Sequence, residues 1–313
     1  MRRSLVLVAL VAAALSAASV LAAVSVFATG VITPETIART AAGDFLVTDA
    51  DVTDVGDVGP IWSVPAGGGT ATQVAVAGFS LRDGVFLPAN FGAVGGQFLV
   101  VGGDGTLASA SAMDAAHAVT PYASQENSLW NTPVVMSGFG QHKGAVLVTN
   151  QGDGAEFTGS VDIFTPSGTV GRLTNLPMVN VPFGAAQAPT GFGPVGGTLL
   201  VSDAGGNGIY SVNPTGRVSL FTSIPLGTGQ SGLRQMAFAP SGWGRFSGNL
   251  FVSLNTGDID IVSRNGAVIG RISGTFNPRG LLFTTISGSP TLLFSDTLGH
   301  TILRAGPGDI VPS

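Results

Sequence analysis

The chain has 313 residues, including 47 glycines and 18 prolines, and only 10% of its residues are charged. The formal net charge of −5 argues against nucleic acid or an anionic membrane as a partner. The absence of cysteine excludes disulfide bonds and thiolate chemistry, and closed all-β folds of this length commonly form one domain.

The N-terminus carries Arg2 and Arg3, followed by an apolar stretch over residues 5–23. This pattern predicts a secretory signal peptide of residues 1–23, with an alternative cleavage site after Ala28. An uncleaved anchor is the other interpretation, because about 20 apolar residues can span a bilayer. We predict a secreted, extracellular or periplasmic protein of residues 29–313, free of the membrane after cleavage.

A five-residue apolar segment then recurs six times along the chain, at a spacing of about 50 residues. The six copies are residues 45–49, 98–102, 146–150, 199–203, 250–254 and 292–296. Gly-rich turns flank the middle copies, and short apolar runs bounded by Gly, Pro, Asn and Asp are typical of strands joined by tight turns. The repeat predicts an all-β fold, a six-bladed β-propeller of four-stranded antiparallel blades, with essentially no helix after the signal peptide.

Closure of this ring has two alternatives, because the last blade ends in a short segment. Either residues 309–312 form the outer strand of the sixth blade, or residues 26–32 supply or extend it. A propeller needs its first and last blades joined to avoid open sheet edges.

Two segments resemble a known repeat family. Residues 201–218 (VSDAGGNGIYSVNPTGRV) and residues 294–304 (FSDTLGHTILR) are similar to the Asp-x-x-x-(Asn/His)-x-Ile core of NHL-type repeats. The resemblance implies the six-bladed propeller superfamily that also contains the gluconolactonase-like (senescence-marker) enzymes, but it does not imply an activity. In those enzymes a Glu, two Asn and an Asp on inner strands hold a catalytic metal, and Glu35 alone matches that pattern.

The first candidate site consists of polar residues near the predicted starts of the innermost strands, on the face where those strands begin (the top face). The candidate ligand-binding residues are Glu35, Asp83, Asn131 and Arg279. Oxygen atoms of Glu35, Asp83 and Asn131 are suited to a hard cation such as Ca²⁺. The alternative is that they only line a solvated channel mouth.

The second candidate site consists of two inserted loops, residues 50–59 and 151–159, on the same face. Their acidic residues, Asp51, Asp54, Asp57, Asp153 and Glu156, predict a site for Ca²⁺ or another divalent cation, with a merely solvated loop as the alternative. Together with Asp83 they predict a negatively charged cleft over the channel mouth, which would favour a cationic or metal-bridged ligand.

Other conspicuous residues are interpreted as structural. Asp49, Asp203 and Asp296 end equivalent segments, so we expect their carboxylates to accept backbone N–H bonds in the following turn. The GFGPVG sequence at residues 191–196 matches a dinucleotide-binding pattern, but a strand follows it, which indicates a hairpin turn. We expect the three tryptophans to fill gaps between blades.

These observations favour a non-catalytic module that binds a small molecule, glycan or protein on the top face, as a monomer, and they leave open whether the protein is an enzyme. The alternative is a metal-dependent hydrolase or lyase of the gluconolactonase-like class acting at the channel mouth. A quinone-dependent sugar dehydrogenase would need a histidine base and an arginine cluster in the channel, and the sequence indicates neither.

Overall fold

The structure is a computed structural model that describes residues 24–50, 58–155, 157–226, 232–274 and 276–313. The strands are β1 (Ser25–Thr29), β2 (Pro34–Arg39), β3 (Phe45–Asp49), β4 (Gly59–Val64), β5 (Gly69–Thr70), β6 (Thr72–Ala77), β7 (Leu81–Phe86), β8 (Phe98–Gly103), β9 (Leu107–Met113), β10 (Val119–Glu126), β11 (Trp130–Val135), β12 (Val146–Asn150), β13 (Ser160–Phe164), β14 (Val170–Asn175), β15 (Pro182–Gln187), β16 (Leu199–Asp203), β17 (Gly208–Val212), β18 (Val218–Ser223), β19 (Leu233–Phe238), β20 (Leu250–Leu254), β21 (Asp258–Val262), β22 (Val268–Ser273), β23 (Pro278–Ile286), β24 (Ser289–Asp296), β25 (Thr301–Ala305) and β26 (Val311–Pro312).

The helices of the described ranges are short 3₁₀ turns. They are Gly92–Val94, Gly140–His142, Gly193–Val195, Gly244–Phe246 and Pro307–Asp309. In these ranges no helix has the length and apolar character needed to cross a membrane. The predicted signal peptide, residues 1–23, lies outside them.

Six sheets, antiparallel except for the short pair of β1 with β5, surround a central channel as the blades of a propeller. Blades 1 to 6 have β2, β7, β11, β15, β19 and β23 as their innermost strands. Each inner strand contacts the next one around the ring, and β23 contacts β2 to complete it. The predicted six-bladed fold is confirmed, and the six recurrent segments lie on the second strands, β3, β8, β12, β16, β20 and β24.

The N-terminal strand closes the ring. Strand β1 pairs antiparallel with β25 and forms the fourth strand of blade 6, with Val26 opposite Leu303. Phe27 is buried there, with its ring centroid 5.6 Å from that of Phe45 in blade 1. Strand β26 instead adds to the outer edge of blade 5 by pairing with β22. Of the two closure alternatives, the N-terminal one is therefore correct.

Aromatic side chains from the hairpins between first and second strands close four of the six seams between blades. The hairpin between the first and second strands of blades 2 to 5 presents one buried ring each, which we call the seam plugs: Phe91, Phe139, Phe192 and Trp243. Each plug packs in an apolar cluster built from its own blade and the next one. Trp130 and Trp243 are buried in inter-blade gaps as expected. Trp62 is partly exposed, packs against the cluster between blades 6 and 1, and donates its Nε1–H to Asp49.

A hydroxyl group on the second strand ties one inner strand to the next. Ser202 in blade 4 accepts a hydrogen bond from the Gly184 amide of its own blade at 2.8 Å and donates to the Arg234 carbonyl of blade 5 at 2.7 Å. The equivalent donations to the next blade are Thr149 to Phe183, Ser253 to Arg279 and Ser295 to Glu35, at 2.6, 2.9 and 3.0 Å. These hydrogen bonds pair backbone groups of the inner strands beside the channel. They therefore hold in place the inner-strand residues whose side chains line the channel.

Replacing one of these hydroxyls is expected to destabilise the fold. Ser202→Ala would leave the Gly184 N–H and the Arg234 carbonyl without this partner, and we expect a loss of about 1–3 kcal/mol in the free energy of unfolding. Denaturation in guanidinium chloride measures the loss, with Ser219→Ala on the exposed edge of the same blade as the control. A loss no larger than that of the control would contradict the role assigned to Ser202.

Candidate functional site

Each inner strand carries a β-bulge close to its start. The pairing register shifts between Pro34 and Ile37 in blade 1, and equivalent shifts occur in the other five blades. A bulge bends the strand and redirects side chains, and bulges are common next to functional sites. As a result, two successive residues of each blade contribute to two layers at the top of the channel.

The upper layer, which we call the outer ring, is formed by the first residue of each pair. Its members from blade 1 to blade 6 are Glu35, Arg82, Asn131, Phe183, Arg234 and Arg279. Glu35, Asn131 and Phe183 are at most 4% exposed, and the three arginines are half-buried. The ring therefore combines one carboxylate, one amide and one aromatic face with three guanidinium groups.

The three arginines form a cluster, and the Glu35 carboxylate of the same ring is close enough to interact with them electrostatically without forming an ion pair. The guanidinium carbons of Arg234 and Arg279 lie 4.7 and 5.9 Å from the centroid of the Phe183 ring. Burial, together with the charge of Arg279, lowers the pKa of Arg234 to about 10. Within the described ranges no carboxylate lies within ion-pair distance of these arginines, and the Nε atom of each is buried without a hydrogen-bond partner.

Two oxygen atoms of the same ring also lack partners within the described part of the chain. They are Oε2 of Glu35 and Oδ1 of Asn131, whose amide nitrogen donates to the Pro182 carbonyl at 2.8 Å. Burial raises the pKa of Glu35, although Arg279, Arg82 and Arg234 act in the opposite direction. A buried polar group without a partner is unfavourable by about 1–3 kcal/mol. The outer ring therefore presents unpaired donors and unpaired acceptors side by side.

The lower layer, the inner ring, forms a floor across the channel. Gln235 of blade 5 reaches across to donate to the Asp83 carboxylate of blade 2 and to the Thr132 hydroxyl of blade 3, the latter at 2.7 Å. Asp83 also accepts from the Gly84 amide at 2.6 Å. Burial raises the pKa of Asp83 to about 7, despite a lowering effect from its hydrogen bonds. This network blocks the channel directly beneath the outer ring.

Glycines complete the inner ring where neighbouring strands approach closely. A Cβ added to Gly184 would lie 2.1 Å from the Arg234 carbonyl oxygen, and one added to Gly280 would lie 2.4 Å from the Glu35 carbonyl oxygen. Neither position has room for a side chain.

The recurrent aspartates hold the segments that lead into the inner strands. Asp49 accepts from the amides of Ile32 and Thr33, both at 2.7 Å. Asp203 accepts from the Val181 amide at 3.0 Å, and Asp296 accepts from the Asn277 amide at 2.8 Å. Their structural role is confirmed, although most of the amides that they accept from lie ahead of the inner strand rather than in the following turn.

The four residues of the first sequence-predicted site come together in the channel. Glu35, Asn131 and Arg279 belong to the outer ring, and Asp83 lies one layer deeper. Sequence analysis missed Arg82 and Arg234, which directly precede Asp83 and Gln235. The predicted absence of an arginine cluster is wrong, because the bulge brings two successive residues of a blade to the channel and the sequence interpretation left out Arg82 and Arg234.

Within the described residues the outer ring contains three cations and one carboxylate, whereas the predicted acidic cleft as a whole stays a prediction, because most of its carboxylates lie outside them. Of the second predicted site, Asp51, Asp54, Asp57 and Glu156 lie outside the described residues. Asp153 is exposed and accepts from Ala155 and Thr158 of its own loop, at 3.0 and 3.1 Å. In the ranges that the structure covers, no group of three or more His, Asp or Glu side chains is arranged to hold a metal.

Comparison with known proteins identifies the fold. Neither a protein-family profile nor a curated protein sequence matches this chain. Among solved structures, a gluconolactonase from Xanthomonas campestris superposes with a TM-score of 0.64 at 16% identity, covering 93% of this chain and 89% of that one. Regucalcin, a calcium-binding protein from Agrobacterium tumefaciens, gives 0.63 at 16% identity over 90% and 95%. An inactive variant of virginiamycin B lyase from Staphylococcus aureus, solved with quinupristin, gives 0.58 at 13% identity over 91% and 84%.

These similarities establish a shared six-bladed propeller. The predicted resemblance to gluconolactonase-like six-bladed propellers is confirmed at the level of the fold. At these identities the likeness shows the fold alone, and activity must be argued from the site.

The residues of the channel mouth do not fit a divalent cation such as the calcium that regucalcin binds. Glu35 and Asn131 offer two free oxygen atoms, but Ca²⁺ takes six to eight oxygen ligands. The blade 4 position is Phe183, which has no ligand atom. Three guanidinium groups in the same ring would repel a dication at short range. The donor set therefore suits an anion better than a metal.

Proposed function

We propose that this protein binds a small polyhydroxylated organic anion, such as a sugar acid, in the channel mouth formed by the outer ring. The observation that carries the proposal is that three guanidinium Nε–H donors and two oxygen acceptors of one ring are buried without partners among the described residues. A ligand that brings both an anionic group and hydroxyl groups would satisfy both sets at once.

The chemistry of each side chain supports this ligand class. Guanidinium groups recognise carboxylates through paired, charge-assisted hydrogen bonds, so Arg82, Arg234 and Arg279 would hold the anionic end. Hydroxyl groups of the ligand would donate to Glu35 and Asn131. The face of Phe183 is already covered by Arg234, which keeps that guanidinium in place for a ligand.

A metal-dependent hydrolase or lyase acting at this mouth is the second candidate. The names of the structural neighbours, a gluconolactonase and a lyase, favour it. The misfit of the outer ring to a divalent cation counts against it, so the binding role is the one we put forward. Export of the protein and the cation site at Asp51, Asp54, Asp57, Asp153 and Glu156 remain predictions.

Isothermal titration of the purified protein with D-gluconate in the presence of EDTA tests the proposal. D-Glucose is the uncharged control, and acetate is the control without hydroxyl groups. We expect saturable one-to-one binding of gluconate, no binding of glucose and weaker binding of acetate. Equal binding of glucose would contradict the proposal. A stoichiometric divalent ion in the protein, with lactone hydrolysis that depends on it, would favour the enzyme instead.

A further inference from the structure

The seam between blades 1 and 2 lacks the aromatic plug that closes the seams after blades 2 to 5. The hairpin that joins β2 to β3 in blade 1 is short, and it presents Ala41 and Ala42 where the other hairpins present a buried ring. The seam after blade 6 also lacks a hairpin ring, but Phe27 of β1 and Ile286 pack into it. Blade 1 has no such substitute among the residues that the structure describes.

A cavity of about 430 Å³ occupies the unplugged seam, on the face opposite the outer ring. Its walls include Leu46, Phe86, Phe98 and Met113, and two carboxylates, of Asp44 and Asp114, lie at its edge with His117. This volume is in the range of about 300–1,000 Å³ that is typical of small-molecule sites. The cavity shares no residue with the channel.

A comparison of equivalent positions in blades 2, 5 and 6 indicates which chemical group fits the cavity. Phe86 in blade 2, Phe238 in blade 5 and Phe283 in blade 6 occupy the same register position. Each lies opposite the first residue of the recurrent segment of its own blade. Phe238 contacts the plug Phe192 edge to face at a centroid distance of 4.8 Å, and Phe283 contacts the plug Trp243 in the same way, also at 4.8 Å. Phe86 lines the cavity and packs against Phe98 of its own blade at a centroid distance of 5.0 Å, but the hairpin of blade 1 places no plug on its other side. An aromatic ring therefore fits the vacant place.

Polar groups at the edge define the other end of the ligand. Asp44 accepts from the Ala66 amide through Oδ1, and Asp114 accepts from the amides of Ala116 and Ala118 through Oδ1. Their Oδ2 atoms accept no hydrogen bond from described residues. The Thr40 hydroxyl, which also lines the cavity, is buried without a partner in the same part of the chain. Since the cavity lining contains no Lys or Arg, its edge favours a cation.

We propose that the seam between blades 1 and 2 is a second binding site, which takes a small aromatic amine. The ring of the ligand occupies the position of the missing plug against Phe86, and its ammonium group binds the carboxylates of Asp44 and Asp114. This site is independent of the anion site in the channel mouth.

Titration with 2-phenylethylammonium, followed by protein NMR, tests the site, with 2-phenylethanol as the neutral probe of the same shape. Combining Asp44→Asn with Asp114→Asn keeps the Oδ1 acceptors but removes both charges. We expect this variant to weaken binding of the amine about tenfold and to leave binding of the alcohol unchanged. An amine that binds the wild type no more tightly than the alcohol does would overturn the proposal.

A second variant tests the place of the ring. Ala42→Phe supplies an aromatic side chain to the seam and should abolish binding of both probes, whereas Ala155→Phe, on an exposed loop of the opposite face, should not. Circular dichroism and thermal unfolding establish that each variant is folded. Probe binding by folded Ala42→Phe at wild-type strength would also overturn the proposal, and the aspartate variant provides an independent test if Ala42→Phe does not fold.

Discussion

Combining Arg234→Gln with Arg279→Gln should weaken gluconate binding by a factor of about 100 or more. Each arginine contributes charge-assisted hydrogen bonds worth about 1.5–3 kcal/mol, and about 1.4 kcal/mol corresponds to a factor of ten in affinity. Both side chains lie beside Phe183 in the outer ring, so the substitutions remove two of its three cations. Titration calorimetry measures the loss, and Arg264→Gln, in an exposed turn, is the matched control.

The same double variant should be more stable than the wild type when no ligand is present. Burial disfavours the charged form of Arg234, which is why its pKa falls to about 10. The guanidinium groups of Arg234 and Arg279 also repel each other and form no ion pair with a described residue, so removing both should raise the midpoint of thermal unfolding. Functional sites commonly trade stability for binding in this way. Retained gluconate binding, or a variant that is less stable without ligand, would count against an anion site.

Raising the pH from about 4 to 8 should remove about 4 kcal/mol of stability through Asp83 alone. The ordinary pKa of an aspartate carboxyl is 3.8, and burial raises the pKa of Asp83 to about 7 in the folded protein. Below pH of about 4 the carboxyl is protonated in both the folded and the unfolded states, and its contribution to stability is fully present. As the pH rises toward 7 the unfolded state releases the proton first, so this contribution is lost, at about 1.4 kcal/mol per pH unit.

Asp83→Asn isolates this effect, because the amide is close in shape and does not titrate. Its oxygen can still accept from Gly84, and Gln235 can turn its own amide to pair with it. The free energy of unfolding, measured by denaturant titration at several pH values, should fall in the wild type relative to Asp83→Asn between about pH 4 and pH 8. A difference between the two proteins that does not change with pH would mean that the Asp83 carboxyl keeps an ordinary pKa.

The repeat made the fold predictable. Glycine and proline mark the turns, and the recurrent second strand fixes the number of blades, because each copy must bury the same apolar positions against its neighbours. Ring closure was not decided by the sequence. Residues 26–32 and 309–312 are both short and apolar enough to serve as an edge strand, and only the pairing of β1 with β25 shows which one does.

The candidate site was predictable only in part. Glu35, Asn131 and Arg279 were found because polar residues at inner-strand starts face a channel. Arg82 and Arg234 were missed because a bulge changes the alternation of side chains without leaving a local sequence signal. The vacant seam beside Phe86 was visible only by comparison of blades, since nothing within the hairpin of blade 1 indicates that a ring is missing.

A crystal structure of the protein with D-gluconate would decide whether the outer ring is an anion site. We expect a carboxylate within hydrogen-bonding distance of the guanidinium groups of Arg82, Arg234 and Arg279, with ligand hydroxyl groups on Glu35 and Asn131. A divalent cation held by Glu35 and Asn131, or gluconate bound elsewhere while the outer ring stays free of it, would contradict the proposed function.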